Sequence, residues 1–278
     1  IQRDYTSEVL VLPTEINSAT DKKTYKISME KNTAKIKFLN LGCGDHYRRD
    51  WYNIDSVPHS EAVMKHDLRR GIPFPDEYFE VVYHSHVLEH FTKKDGASFL
   101  SECYRVLKPG GVLRIAVPDL ETIARNYITC MDRLLAGNTS AGGMYDWTML
   151  ELYDQSVRVK SGGEMKNFIQ NADQKTFEFI RQRIGAFADQ FQETKNLPPV
   201  PTWKEVIKRY VPVAMLKKHL AQIKKFLKGG ESASIGRFRT SGEVHQWMYD
   251  QYSLARALRQ TGFVHITKQS ATGSAIPH

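Results

Sequence analysis

Apolar and polar residues alternate from Ile36 to Leu41, which predicts a strand. A second short apolar run, Trp51-Tyr52, leads into Asn53-Ile54-Asp55 and predicts a strand over 51–55. A short strand near 62–66 and another over 79–84 follow. Over 94–108, Phe99, Cys103, Val106 and Leu107 fall on one helical face, and Pro109-Gly110-Gly111 stops that helix before a strand over 112–117. Asp119 stands where it can cap a helix over 120–135. Near the end, Asp250 opens a helix through Gln260, Gly262 closes it, and a strand is predicted over 263–267. Strands and helices alternating in this way predict an α/β protein, Rossmann-like and doubly wound, with a mostly parallel sheet.

If the last helix and strand complete that sheet, the chain between makes a long excursion, read as a mostly helical cap inserted after the fifth strand. Phe177, Ile180, Ile184, Phe187 and Phe191 predict one amphipathic helix within it. The expected division is a polar lead-in over 1–34, packed on the sheet edge, a ligand-binding domain over 35–118 and 250–270, and a cap over 119–249. The chain begins at Ile1, as expected of an excised part of a longer protein, and shows no signal-peptide pattern.

The first strand runs into Leu41-Gly42-Cys43-Gly44-Asp45. Two glycines allow a tight turn in which backbone lies close to a ligand. Asp55 then sits at the tip of the next strand, where a carboxylate can accept both hydroxyls of a ribose. Tyr47 occupies the place of the third glycine of a dinucleotide fingerprint. Only ten residues separate Asp45 from Asp55, against about twenty in that fingerprint. Little room is left for a crossover helix whose N-terminus would hold a pyrophosphate. A nucleoside without phosphates fits better.

These residues resemble the first motif of class I S-adenosylmethionine-dependent methyltransferases. His66-Asp67-Leu68, the run 72–82, Val87-Leu88-Glu89-His90 and the run 102–111 with its Leu-Lys-Pro-Gly-Gly resemble later motifs, in order. The likeness covers 35–119, more weakly 249–269, and is to the type 11 group. The layout is also similar to members associated with bacterial polysaccharide biosynthesis. The resemblance implies S-adenosylmethionine as cofactor, held by Leu41, Gly42, Cys43, Gly44, Asp55, Asp67, Leu68 and His86. Asp45 faces either the cofactor's ammonium group or solvent, and Asp67 either meets the adenine amino group or caps a turn.

His84, His86, Glu89 and His90 form the polar cluster nearest this cofactor site. Methyl transfer to a hydroxyl asks for a base, and His titrates nearest neutral pH. His86, His90 and Asp119 are the candidate catalytic residues. Glu89 and His90 can instead begin a helix, and Asp119 can serve as a base, as a cap, or as both. No metal is expected. Trp147, Asp154, Arg158, His245 and Trp247 are candidate contacts to a saccharide or glycolipid acceptor, whose rings offer apolar faces and hydroxyls; the alternative is subdomain core. A small-molecule natural-product methyltransferase and a nonenzymatic docking module are the competing readings.

Charge alters the picture at one place. Residues 203–240 hold ten Lys and Arg against two Glu, a surplus equal to the +8 of the whole chain. Read with its apolar positions, 203–228 is a candidate docking helix for an anionic membrane surface, or plain solvated surface. No nucleic-acid motif accompanies it, so nucleic acid is not the expected partner. Three cysteines without metal-ligand spacing and the lack of an apolar run of about 18 residues lead to the expectation of a cytoplasmic protein, at most peripheral to a membrane.

Overall fold

The structure is a computed structural model and describes residues 6–13, 36–195 and 230–269. The proposed docking segment 203–228 lies outside these residues. The described residues belong to two compact units: those of Gln2–Arg125 with His245–His278, and those of Asn126–Val244.

The first unit is built on a seven-stranded sheet, ordered β4-β3-β2-β5-β6-β1-β7. The strands are β1 (Thr6–Pro13), β2 (Phe38–Leu41), β3 (Tyr52–Asp55), β4 (Met64–Lys65), β5 (Phe79–Ser85), β6 (Leu107–Pro118) and β7 (Phe263–Gln269). Strands β4, β3, β2, β5 and β6 run parallel. β1 is antiparallel to both β6 and β7. The parallel sheet and its flanking helices are the Rossmann-like α/β fold that the pattern predicts.

Residues 6–13 correct the expectation of a polar lead-in at the sheet edge. They form a strand inside the sheet, with Thr6 opposite Pro118 on one side and Pro13 opposite Phe263 on the other. The chain leaves β2 toward β3 and β4, then returns to β5 on the opposite side of β2. The carboxyl ends of β2 and β5 therefore flank a topological switch point, the place where open α/β sheets take ligands.

Helix α1 (Lys93–Val106) connects β5 to β6 and starts at Thr92, whose hydroxyl accepts the Asp95 N–H. Its buried face carries Phe99, Leu100, Cys103 and Val106. At its end Arg105 donates to Glu102 and Asp76 and to the carbonyls of Phe74 and Ile72. Glu102 in turn accepts from the Ile72 N–H. The Glu-Cys-Tyr-Arg run thus fastens the loop before β5 onto the helix. Residues 108–111 bulge out of the β5–β6 ladder, with Gly110 at φ 75°, where the sequence places only a helix stop.

Helix α2 (Leu120–Leu135) has the predicted bounds, and the division between the two units falls inside it. The last helix among the described residues, Gln251–Thr261, is capped by Asp250 and Ser253 in a reciprocal box and ends at Gly262 with φ 109°. Its Leu254 and Leu258 join Phe99, Leu100 and Cys103 of α1 in a core with Leu39, Leu41, Ile54, Val82, Leu113 and Ile115 of the sheet.

The second unit is helical among its described residues: α3 (Gly142–Val157), α4 (Gly163–Asn171), α5 (Gln174–Ile184), α6 (Phe187–Lys195) and α7 (Gly230–Arg239). The single helix expected through Phe191 is two helices. Gly185, at φ 64°, turns the chain between Ile184 and Phe187.

Candidate functional site

The turn after β2 takes two left-handed glycines, Gly42 at φ 62° and Gly44 at φ 50°. A Cβ on Gly42 would lie 2.4 Å from Val87 Cγ2, so only glycine lets this turn meet the loop after β5. A Cβ on Gly44 would meet nothing within 4 Å, so that side of the turn is open. No helix separates β2 from β3. The turn therefore has no helix N-terminus behind it to hold a diphosphate.

Asp55 closes the turn at the tip of β3. Its Oδ2 accepts the Gly44 N–H at 2.9 Å and its Oδ1 accepts the Val57 N–H at 2.8 Å. A carboxylate has about four lone-pair sites. Each oxygen thus retains capacity for one hydroxyl of a ribose. Burial, then the field of Asp55, pushes the Cys43 thiol up to about 11. Cys43 is a packing residue and not a nucleophile.

The loop after β5 carries the densest group of titratable side chains. His86 adopts φ 55°, a left-handed backbone that a non-glycine residue takes at a cost. Its N–H donates to the Ala116 carbonyl at 2.9 Å. Its Nδ1 lies 3.0 Å from Oε1 of Glu89, whose side chain is wholly buried. Burial would raise the Glu89 carboxyl. The hydrogen bond from His86 and the fields of His86, His245 and His90 outweigh it and hold the group at about 2. Glu89 is therefore a buried anion, and its second oxygen, Oε2, has no hydrogen-bond partner.

Residues 245–249 return to this loop from the far end of the chain. The Glu89 carbonyl accepts the N–H groups of Gln246 at 2.7 Å and Trp247 at 3.2 Å. The rings of His90 and His245 pack edge to face at 4.9 Å. Burial and the charge of Glu89 push the Tyr249 hydroxyl up to about 12.

The other predicted residues divide sharply. Asp67 accepts the Arg69 N–H as the cap of a short turn and pairs with the Arg69 guanidinium, whose hydrogen bond holds its carboxyl below the usual range. The capping alternative for Asp67 is the one observed. Asp45 pairs with His59 at 2.8 Å on the surface. The Leu41 and Leu68 side chains are apolar; Leu41 is fully buried and Leu68 packs against the core.

Asp119 is engaged as a cap. Its carboxylate accepts from the Thr122 hydroxyl at 2.9 Å and from Lys268 Nζ at 3.0 Å, which ties it to the start of α2 and to β7. His84 is wholly buried, and neither ring nitrogen has a hydrogen-bond partner. Burial, opposed by Glu89, lowers it to about 4, so it is a neutral core residue.

Trp147 is also corrected. It is wholly buried, and its Nε1 donates to Glu151, which pairs with Arg183 at 2.8 Å. Asp154 is buried and caps α4 through the Glu164 N–H, while Arg158 donates to the Glu243 carbonyl. These three stabilise the helical unit. His245 and Trp247 remain with the site. Sequence reasoning placed Glu89 in the polar cluster without seeing that it would be buried and paired with His86, and it gave Val87 no packing role against Gly42.

A mostly parallel sheet, a bare glycine turn at its switch point and a carboxylate on the neighbouring strand tip are the layout in which α/β domains take nucleosides. Residues 39–115 match the family model described as "Methyltransferase domain". Over these residues the chain is similar to methyltransferase domains, S-adenosylmethionine-dependent ones among them.

The chain is 34% identical over 103 residues to the "Probable S-adenosylmethionine-dependent methyltransferase" of Mycolicibacterium smegmatis, a match covering 31% of this chain and 39% of that one. It is 44% identical over 99 residues to the "Ubiquinone/menaquinone biosynthesis C-methyltransferase UbiE" of Vibrio cholerae, covering 34% and 35%. The chain thus spans less than half the length of these curated relatives. Among solved structures, one described as a SAM dependent methyltransferase from Archaeoglobus fulgidus is 25% identical over 26% of this chain and 40% of that chain, with a TM-score of 0.23.

Proposed function

We propose that the whole chain is an S-adenosylmethionine-dependent methyltransferase that methylates an acceptor hydroxyl, with His86 as general base. The observation that carries this is the Glu89–His86 pair beside the glycine turn. An ionised, buried carboxylate on Nδ1 fixes the tautomer with its proton there and makes Nε2 the basic nitrogen. S-adenosylmethionine, when bound, supplies an electrophilic methyl on a sulfonium whose S–C electron pair stays with sulfur. Asp55 and the Gly42–Gly44 turn would hold its ribose and its chain. His86 Nε2 takes the proton that the acceptor hydroxyl loses as its oxygen forms the new bond to carbon.

The proposed acceptor class is a saccharide or saccharide-lipid hydroxyl. Trp247 supports it: its indole is 40% exposed, two residues from His245, and can stack on the apolar face of a sugar. A carbon acceptor is the second reading, favoured by the name of the UbiE relatives, and it would use the same base.

The test is a His86→Gln variant assayed with labelled S-adenosylmethionine against saccharide-lipid and quinone-precursor extracts. General-base loss should lower turnover by about 10²–10⁴-fold. Binding of S-adenosylhomocysteine should stay within a few fold of wild type. Unchanged turnover would remove His86 from the mechanism, and label appearing only in the quinone-type fraction would replace the hydroxyl acceptor by carbon.

A further inference from the structure

We infer that Glu89, His90 and His245 form a binding site for a divalent transition metal of the zinc type. Each offers one ligand atom, and the three atoms lie within 4.8 Å of one another. The inference concerns metal binding, not methyl transfer, and stands or falls separately from the acceptor reading.

Two imidazoles and one carboxylate are the ligand set that holds Zn²⁺ with a further position open to an oxygen. In a tetrahedral centre with bonds of about 2.0 Å, ligand atoms stand about 3.3 Å apart. The three groups would have to close by about 1.5 Å, a movement that rotation about side-chain torsions can supply.

Two features favour a cation here over a plain polar core. The Glu89 side chain is wholly buried, and its Oε2 has no hydrogen-bond partner. A buried anionic oxygen left bare is costly, and a metal ion would satisfy it. The other oxygen, Oε1, is already fixed by His86, the kind of outer hydrogen bond that orients a metal-binding carboxylate. The backbone also brings the ligands together: the Glu89 carbonyl is bridged to Gln246 and Trp247, which sets His245 against His90.

The experiment uses the full chain without a polyhistidine tag, stripped with chelator and titrated with Zn²⁺ by calorimetry and with Co²⁺ by visible absorption. The expected result is one equivalent bound, with the intense absorption of low-coordinate Co²⁺. His245→Ala should weaken Zn²⁺ binding by at least about tenfold, as should Glu89→Gln. His265→Ala, an exposed histidine on β7, should bind as wild type does. His245→Ala guards against the case in which replacement of buried Glu89 prevents folding. No stoichiometric Zn²⁺ on the wild-type chain would overturn the inference, and so would a folded His245→Ala protein that binds as tightly as wild type.

Discussion

Gly42 shows how narrowly one residue can be specified. Its φ of 62° and the 2.4 Å approach of Val87 to a hypothetical Cβ act together. Gly42→Ala should therefore destabilise the chain by about 1–3 kcal/mol and abolish calorimetric binding of S-adenosylhomocysteine. Gly44→Ala, with open space around it, should cost less stability. Equal losses in urea unfolding would refute the role given to Val87. His84 makes a different residue-scale prediction. It is lowered from 6.5 to about 4, so between those values the unfolded chain binds a proton that the folded chain does not. Stability should be complete above pH 6.5 and fall by about 2 kcal/mol between pH 7 and pH 5. His84→Leu should flatten that slope. Glu89 acts in a separate window: its folded value of about 2, below the usual 4.5, gives stability that is lost only as pH falls below 4.5. A wild-type unfolding midpoint unchanged from pH 7 to pH 5 would contradict the account of His84.

At the scale of elements, caps carry much of what could be read in advance. Asp250 and Gly262 bracket the last helix where turn chemistry places them, and Asp250→Ala should cost about 1 kcal/mol in denaturant unfolding with little effect on ligand binding. A midpoint shift near zero would mean the box contributes nothing. Strands β2, β3 and β5 and helices α1 and α2 were legible because their signals are local: alternation, a shared apolar face, a proline and two glycines. Strand β1 was missed although Val9-Leu10-Val11-Leu12 is an apolar run, because its partners stand about a hundred residues or more away. The break at Gly185 was visible as a glycine inside a helical pattern and was passed over. The glycine turn and Asp55 were legible as a motif. The pairing of His90 with His245 was not, since no local spacing joins residues so far apart.

For the molecule as a whole, the sheet is one continuous hydrogen-bonded object made from both ends of the described chain. Removing residues 1–13 would leave β6 with an unpaired edge and β7 without a strand partner among the described residues. The truncated chain is expected to aggregate or lose cooperative unfolding, judged by size-exclusion chromatography and circular dichroism; a monodisperse, cooperatively unfolding product would show that β1 is dispensable. Among the described residues no helix is long and apolar enough to cross a membrane. The placement of β1 also governs the order of assembly on the ribosome. Its first neighbour emerges roughly a hundred residues after it, its second only some two hundred and fifty residues after it. One side of the strand must then wait, unzipped, while those residues are made. Such late closure is slow and open to misassociation.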